Sequence, residues 1–137
     1  SMYGNTEKMM NAVAQGISGA GLPVEIFDAA RVHPSYILPA LWTYRGVMVG
    51  APTYEGTLFP PVAQAIDMAA LKRVVNKKAA IFGSYGWSKG GMAAFRKMVE
   101  PLKWEVTDMF EFRGSPTSDQ LRQGEEMGER FAAAVKT

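Results

Sequence analysis

The chain has 137 residues, 47% of them hydrophobic, with 15 basic and 13 acidic side chains and a formal charge of +2. That is enough apolar material for one domain with a buried core, and too little charge to argue for a nucleic-acid or membrane partner. No cysteine is present, which excludes disulfides, iron–sulfur clusters and thiolate chemistry, and the single histidine, His33, cannot anchor a multi-histidine metal site. The lack of cysteine fits a reducing cytoplasm, which is the expected setting. No apolar run approaches the ~18 residues of a membrane span and no stretch reads as a signal peptide.

Helical and strand patterns alternate along the chain. Residues 6–20 carry Met9, Met10, Val13, Ala14 and Ile17 at helical spacing and end on Gly19 and Gly21. Val24-Glu25-Ile26-Phe27-Asp28 predicts a strand, and Ser35 to Trp42 a short helix interrupted near Pro39. Gly46 to Ala51 is a continuous apolar run, as expected of a parallel strand buried on both faces. Pro60 and Pro61 suit the first turn of a helix reaching about Arg73, because proline there lacks only an N–H that would be unpaired anyway. The cluster Lys72, Arg73, Lys77 and Lys78 is expected at that helix's solvated end. Ala79 to Gly83 predicts a second buried strand, followed by a helix with Met92, Phe95, Val99 and Leu102 on one stripe and Pro101 at its limit. Trp104 to Phe112 predicts a last strand, broken near Asp108. Ser118 or Asp119 is the expected cap of a final helix whose inner stripe is Leu121, Gly124, Gly128, Phe131 and Val135.

Such alternation predicts an α/β fold with a parallel sheet, in which ligands bind beyond the carboxyl ends of the strands. Three loops fall at such ends: Ser1-Met2-Tyr3-Gly4-Asn5-Thr6, Ala51-Pro52-Thr53-Tyr54-Glu55-Gly56 and Gly83-Ser84-Tyr85-Gly86-Trp87-Ser88. The first opens a helix, whose free N–H groups and positive dipole end suit a phosphate, with Gly4 permitting close approach and Ser1, Asn5 and Thr6 adding donors. Taken alone this loop is equally an ordinary helix cap. It lacks the lysine of a P-loop and the glycine spacing of a dinucleotide fingerprint, so a mononucleotide is favoured over ATP or NAD. Tyr54, Tyr85 and Trp87 offer flat apolar faces for stacking on a flavin ring, or for packing the core. Pro52, Thr53, Gly56 and Gly86 shape the loops so that backbone groups can face a flavin's edge. No histidine, cysteine or paired carboxylates converge there, so no catalytic acid or base is expected. The cofactor expected at these loops is flavin mononucleotide (FMN).

The first loop should follow a strand, and none precedes it in residues 1–137. That strand would be the central one of the sheet, and without it each buried unmade backbone bond would cost ~1–3 kcal/mol. The expectation is an N-terminally truncated chain, the strand lying ahead of Ser1 in a longer protein; the alternative is a strand supplied by another chain.

The three loops, with Pro52-Thr53-Tyr54 and the tail Phe110-Glu111-Phe112-Arg113-Gly114-Ser115-Pro116-Thr117, resemble flavodoxin and, more closely, the flavodoxin domain of flavodiiron proteins. The resemblance covers essentially the whole chain, and Ser84-Tyr85-Gly86-Trp87 is its most specific part. It implies a single FMN-binding domain, a three-layer α/β/α sandwich with parallel strand order 2-1-3-4-5, strand 1 absent from residues 1–137. It also implies transfer of electrons from a rubredoxin or NADH-linked reductase to a diiron, metallo-β-lactamase-like domain that reduces O2 or NO, within a homodimer. Carried over position by position, Ser1, Tyr3, Gly4, Asn5 and Thr6 would hold the phosphate. Pro52, Thr53, Tyr54, Tyr85, Gly86 and Trp87 would surround the ring, and Glu55, Gly56 and Ser84 of the same loops are counted with the cofactor-binding residues. Members of the family often carry an amide where Glu55 stands and an acidic residue where Lys89-Gly90-Gly91 follows the tryptophan. A charge at Glu55 facing the ring would lower its potential, and Lys89 would act in the opposite sense. The alternative function is an FMN-dependent NAD(P)H:quinone reductase of the same fold.

Overall fold

A computed structural model describes residues 5–54, 57–85 and 90–137. Helix α1 (Asn5–Gly19) is followed by α2 (Pro34–Thr43), β1 (Gly46–Gly50) and a short hairpin, β2 (Thr53–Tyr54) and β3 (Thr57–Leu58). Then come α3 (Pro60–Leu71), β4 (Lys78–Tyr85), α4 (Gly90–Val99) with a 3-10 turn at Glu100–Leu102, β5 (Glu105–Arg113) and α5 (Ser118–Lys136). Strands β1, β4 and β5 form a parallel sheet in the order β1-β4-β5, which are the last three positions of the expected 2-1-3-4-5.

Side chains alternate across the sheet with a period of two, and each face has its own core. From β4, Ala79 and Ile81 join Val49, Val62, Ile66, Phe95, Val99 and Trp104 beneath α3 and α4. Ala80 and Phe82 join Met9, Val13, Phe112, Met127 and Phe131 beneath α1 and α5. Burying both faces is why β1 and β4 read as unbroken apolar runs.

The strand β5 changes parity part-way. Ala79 pairs with Val106 but Ala80 with Asp108, so Thr107 is one residue too many, a β-bulge. Before it Val106 faces the α4 side; after it Met109 takes that side while Phe110 and Phe112 face α5. The break expected near Asp108 is this bulge.

Two helices, α1 and α5, cross at glycines. A Cβ on Gly128 would meet the Val13 carbonyl, and one on Gly16 the Glu125 carbonyl, so backbone lies on backbone there. Trp104 is fixed from below, its Nε1 donating to the Val74 carbonyl at 2.8 Å.

Several expectations are corrected. Residues 22–28 do not form a strand: no described strand lies beside them, and no backbone bond joins Pro23–Phe27 to β1. Helix α2 runs through Pro39, because Ile37 is buried and Leu38 and Leu41 pack against the core, which outweighs one missing backbone bond. The cap of α5 is Thr117, whose hydroxyl accepts from Gln120 N–H while the Gln120 side chain accepts from Thr117 N–H, a capping box. The basic cluster is divided. Lys78 sits in β4 and pairs with Glu105. Lys77 donates to the carbonyls of Tyr44 at 2.6 Å and Trp42 at 3.4 Å, and desolvation holds its ammonium below the usual lysine range.

Candidate functional site

The carboxyl ends of all three parallel strands lie at one edge of the sheet, and the β2–β3 hairpin that follows β1 packs against α4 and β4 there. This edge is tightly built. Ala51 N–H donates to the Phe82 carbonyl at 3.1 Å, and a Cβ on Gly83 would strike the Ala51 carbonyl. Glycine at 83 is therefore what lets the loop after β1 cross β4 closely. Gly50 has the same role toward the Phe82 ring.

The observation that points to a ligand is at α1. Thr6, in the first turn, is 4% exposed, yet among the described residues its Oγ1 has no hydrogen-bond partner. A buried hydroxyl left unpaired costs ~1–3 kcal/mol, and the first turn of a helix also leaves N–H groups free. Together they are donors that an anionic oxygen would satisfy.

Of the residues expected to bind cofactor, Thr6, Pro52 and Ser84 are fully placed. Pro52 follows β1, and Ser84 lies near the end of β4. Asn5, Thr53, Tyr54 and Tyr85 are placed by their backbone, at the start of α1, in β2 and at the end of β4. Ser1, Tyr3, Gly4, Glu55, Gly56, Gly86 and Trp87 lie outside the described residues. Gly83 opens the third expected loop but was not expected to have this packing role, nor was Gly50; a glycine ending or interrupting an otherwise apolar strand is the signal that could have found both. Among the described residues no cluster of His, Asp and Glu could hold a metal ion, and no helix is long and apolar enough to cross a membrane.

Residues 1–131 match the model of the flavodoxin family. The chain belongs to that family. FMN is the flavodoxin cofactor, and the orphaned Thr6 hydroxyl at a helix N-terminus fits its phosphate. An anaerobic nitric oxide reductase flavorubredoxin of Pectobacterium carotovorum is 32% identical over 134 residues, 96% of this chain and 27% of that protein. This flavodoxin-family chain thus spans about a quarter of the length of the curated relatives it matches. Among solved structures, the rubredoxin oxygen:oxidoreductase of Desulfovibrio gigas has a TM-score of 0.92 and 26% identity, covering 99% of this chain and 34% of that one. A flavodoxin from the domain Archaea has a TM-score of 0.88 and 24% identity, covering 100% and 94%, a likeness of fold.

Proposed function

We propose that this chain binds FMN non-covalently and carries electrons. In this reading the start of α1, with Ser1, Tyr3, Gly4, Asn5 and Thr6, holds the phosphate. Pro52, Thr53, Tyr54, Glu55, Gly56, Ser84, Tyr85, Gly86 and Trp87 surround the ring. FMN supplies one- and two-electron redox chemistry; the chain's own part is to bind, orient and shield it. The donor is a rubredoxin or NADH-linked reductase, and the acceptor a diiron domain that reduces O2 or NO. The similarity to a flavorubredoxin and to a rubredoxin oxygen:oxidoreductase supports that direction of flow.

The single observation carrying the cofactor reading is the buried, unpartnered Thr6 Oγ1 at the head of α1. Thr6→Val keeps the shape and removes the donor. It is expected to weaken FMN binding about tenfold, ~1.4 kcal/mol, in a fluorescence titration of the apoprotein. Riboflavin, which lacks the phosphate, should bind wild type and variant alike. Equal FMN affinity in both proteins would remove Thr6 from the phosphate site. Direct oxidation of NAD(P)H by a quinone on the FMN-loaded chain would move the assignment to a quinone reductase.

A further inference from the structure

Helix α2 opens on a histidine, a residue outside the Ser, Thr, Asp and Asn that usually cap helices. Pro34 holds the first helical position and has no N–H, and Tyr36 N–H donates to the His33 carbonyl at 2.9 Å. That leaves the Ser35 N–H among the free donors of the first turn. It donates to Nδ1 of His33 at 3.1 Å, and the Ser35 hydroxyl stands 2.8 Å from the same nitrogen. Among the described residues this N–H has no other acceptor. A ring nitrogen that accepts from a backbone N–H carries no proton, so the capping form of His33 is neutral, with its proton on Nε2.

We propose that His33 is a pH-operated latch on the first turn of α2, closed while the imidazole is neutral and released when it takes a proton. Protonation turns Nδ1 from acceptor to donor. The Ser35 hydroxyl can receive that new proton, since its oxygen accepts as well as donates. The Ser35 N–H cannot, because two N–H groups then face each other and the cap bond is lost. The added positive charge also sits at the positive end of the helix dipole and pushes the same way. Imidazoles exchange this proton between about pH 5 and 8, so the latch holds on the alkaline side of that range and opens on the acid side. Among the described residues little at this end compensates. The first turn of α2 has no acidic residue, and the helix itself adds only the Tyr36 phenol. In the segment before it, Asp28 and Arg31 pair with each other at 3.4 Å, and Glu25 is bonded to Tyr44. Asp67 is the one charged residue of α3, on which α2 packs. The far end of α2 is fastened differently. The Lys77 ammonium donates to the Trp42 and Tyr44 carbonyls, and the Thr43 hydroxyl donates to the Pro39 carbonyl. An ammonium keeps its proton as the solution is acidified, so acid frees one end of the helix alone. Buried Ile37, one turn in, limits how far the opening runs. None of this depends on the FMN reading.

The test measures amide exchange with solvent by NMR at about pH 8 and about pH 5, corrected for the intrinsic pH dependence of exchange. In the wild-type chain the Ser35 amide is expected to lose about tenfold in protection on the acid side, while buried Ala69 of α3 does not change. His33→Asn supplies a capping oxygen that does not titrate, and should keep Ser35 protected at both values. His33→Ala should leave it unprotected at both. Equal protection of Ser35 at the two values in wild type overturns the proposal. So does a response in His33→Asn as large as that of wild type, or an imidazole nitrogen spectrum that puts the proton on Nδ1 at the alkaline limit. Asp28→Asn separates the carboxylate of the preceding turn. It is expected to keep the wild-type response; a flat profile would assign the device to Asp28 and overturn the role of His33.

Discussion

The sheet has two outer edges, and they are built on opposite principles. The β5 edge carries a bulge at Thr107 and charged side chains: Glu105 pairs with Lys78, and Asp108 with Arg130 of α5 at 2.9 Å. Bulges and charges are how proteins keep a terminal strand from pairing with another chain. The β1 edge is Gly-Val-Met-Val-Gly, with no charge, no bulge and no proline, facing a slot of about 520 Å³ lined by α1, the 22–28 segment and α2. A strand so written belongs in the interior of a sheet. The same physics that blunts one edge is withheld from the other, and the difference marks where pairing is invited.

One consequence is that α1, which borders the slot, depends on α5 for its position. The contact is sharpest where Gly128 lies on the Val13 carbonyl, with Ile17 N only 3.0 Å from a Cβ built there. Gly128→Ala should destabilise the fold by about 1–3 kcal/mol through overpacking, in spite of the better helix propensity of alanine. At Gly124 the obstacle is the Met9 thioether, a flexible side chain that can swing aside. Gly124→Ala should therefore be markedly milder. Urea unfolding of the two variants checks the order; equal losses would mean that α1 is not held by backbone contact with α5.

The blunted edge should respond the other way, with little change in stability and a change in association. The Glu105 side chain is 63% exposed and its ion pair with Lys78 is screened. Glu105→Val should alter the unfolding free energy by less than about 1 kcal/mol, since exposed pairs contribute about 0.2–1 kcal/mol. It should raise self-association in gel filtration, because a guarding charge has become a β-branched apolar residue. A variant that stays as monodisperse as wild type would show that the bulge alone protects β5.

How far these features were legible in sequence follows from what each one needs. The apolar runs of β1 and β4, the paired prolines opening α3 and the stripe of α5 are local patterns, and the structure places them within a residue or two. The bulge at Thr107 is one residue of register, visible only once β4 lies beside β5. Thr117 took the cap from its neighbours Ser118 and Asp119 because Gln120 stands three residues on and closes the reciprocal pair. Val24–Asp28 has strand chemistry but no partner at hand, and a strand is a property of two chains, not of one. At the site, Thr6 reads in sequence as any helix-opening threonine. Its significance lies in being buried with its hydroxyl unmatched, which only tertiary packing can produce.

The smallest expected effect probes the far wall of the slot. Glu25 lies in residues 22–28, and its carboxylate accepts a hydrogen bond from the Tyr44 hydroxyl. That bond, followed by the carboxylate's charge, raises the Tyr44 pKa above its ordinary 10.0. A group whose folded pKa is raised stabilises the fold below its unfolded pKa, and that contribution disappears as pH climbs through the raised value. The tether between the 22–28 segment and the residue before Arg45 should therefore hold at neutral pH and let go only above pH 10.0. Ultraviolet titration of the tyrosines in wild type and Glu25→Gln is the check. The glutamine removes the charge and brings the Tyr44 midpoint down toward 10.0, with the other tyrosines unmoved. A midpoint that does not shift would leave the wall held by its apolar residues alone, and the slot would then owe its shape to packing on one side and to backbone pairing on the other.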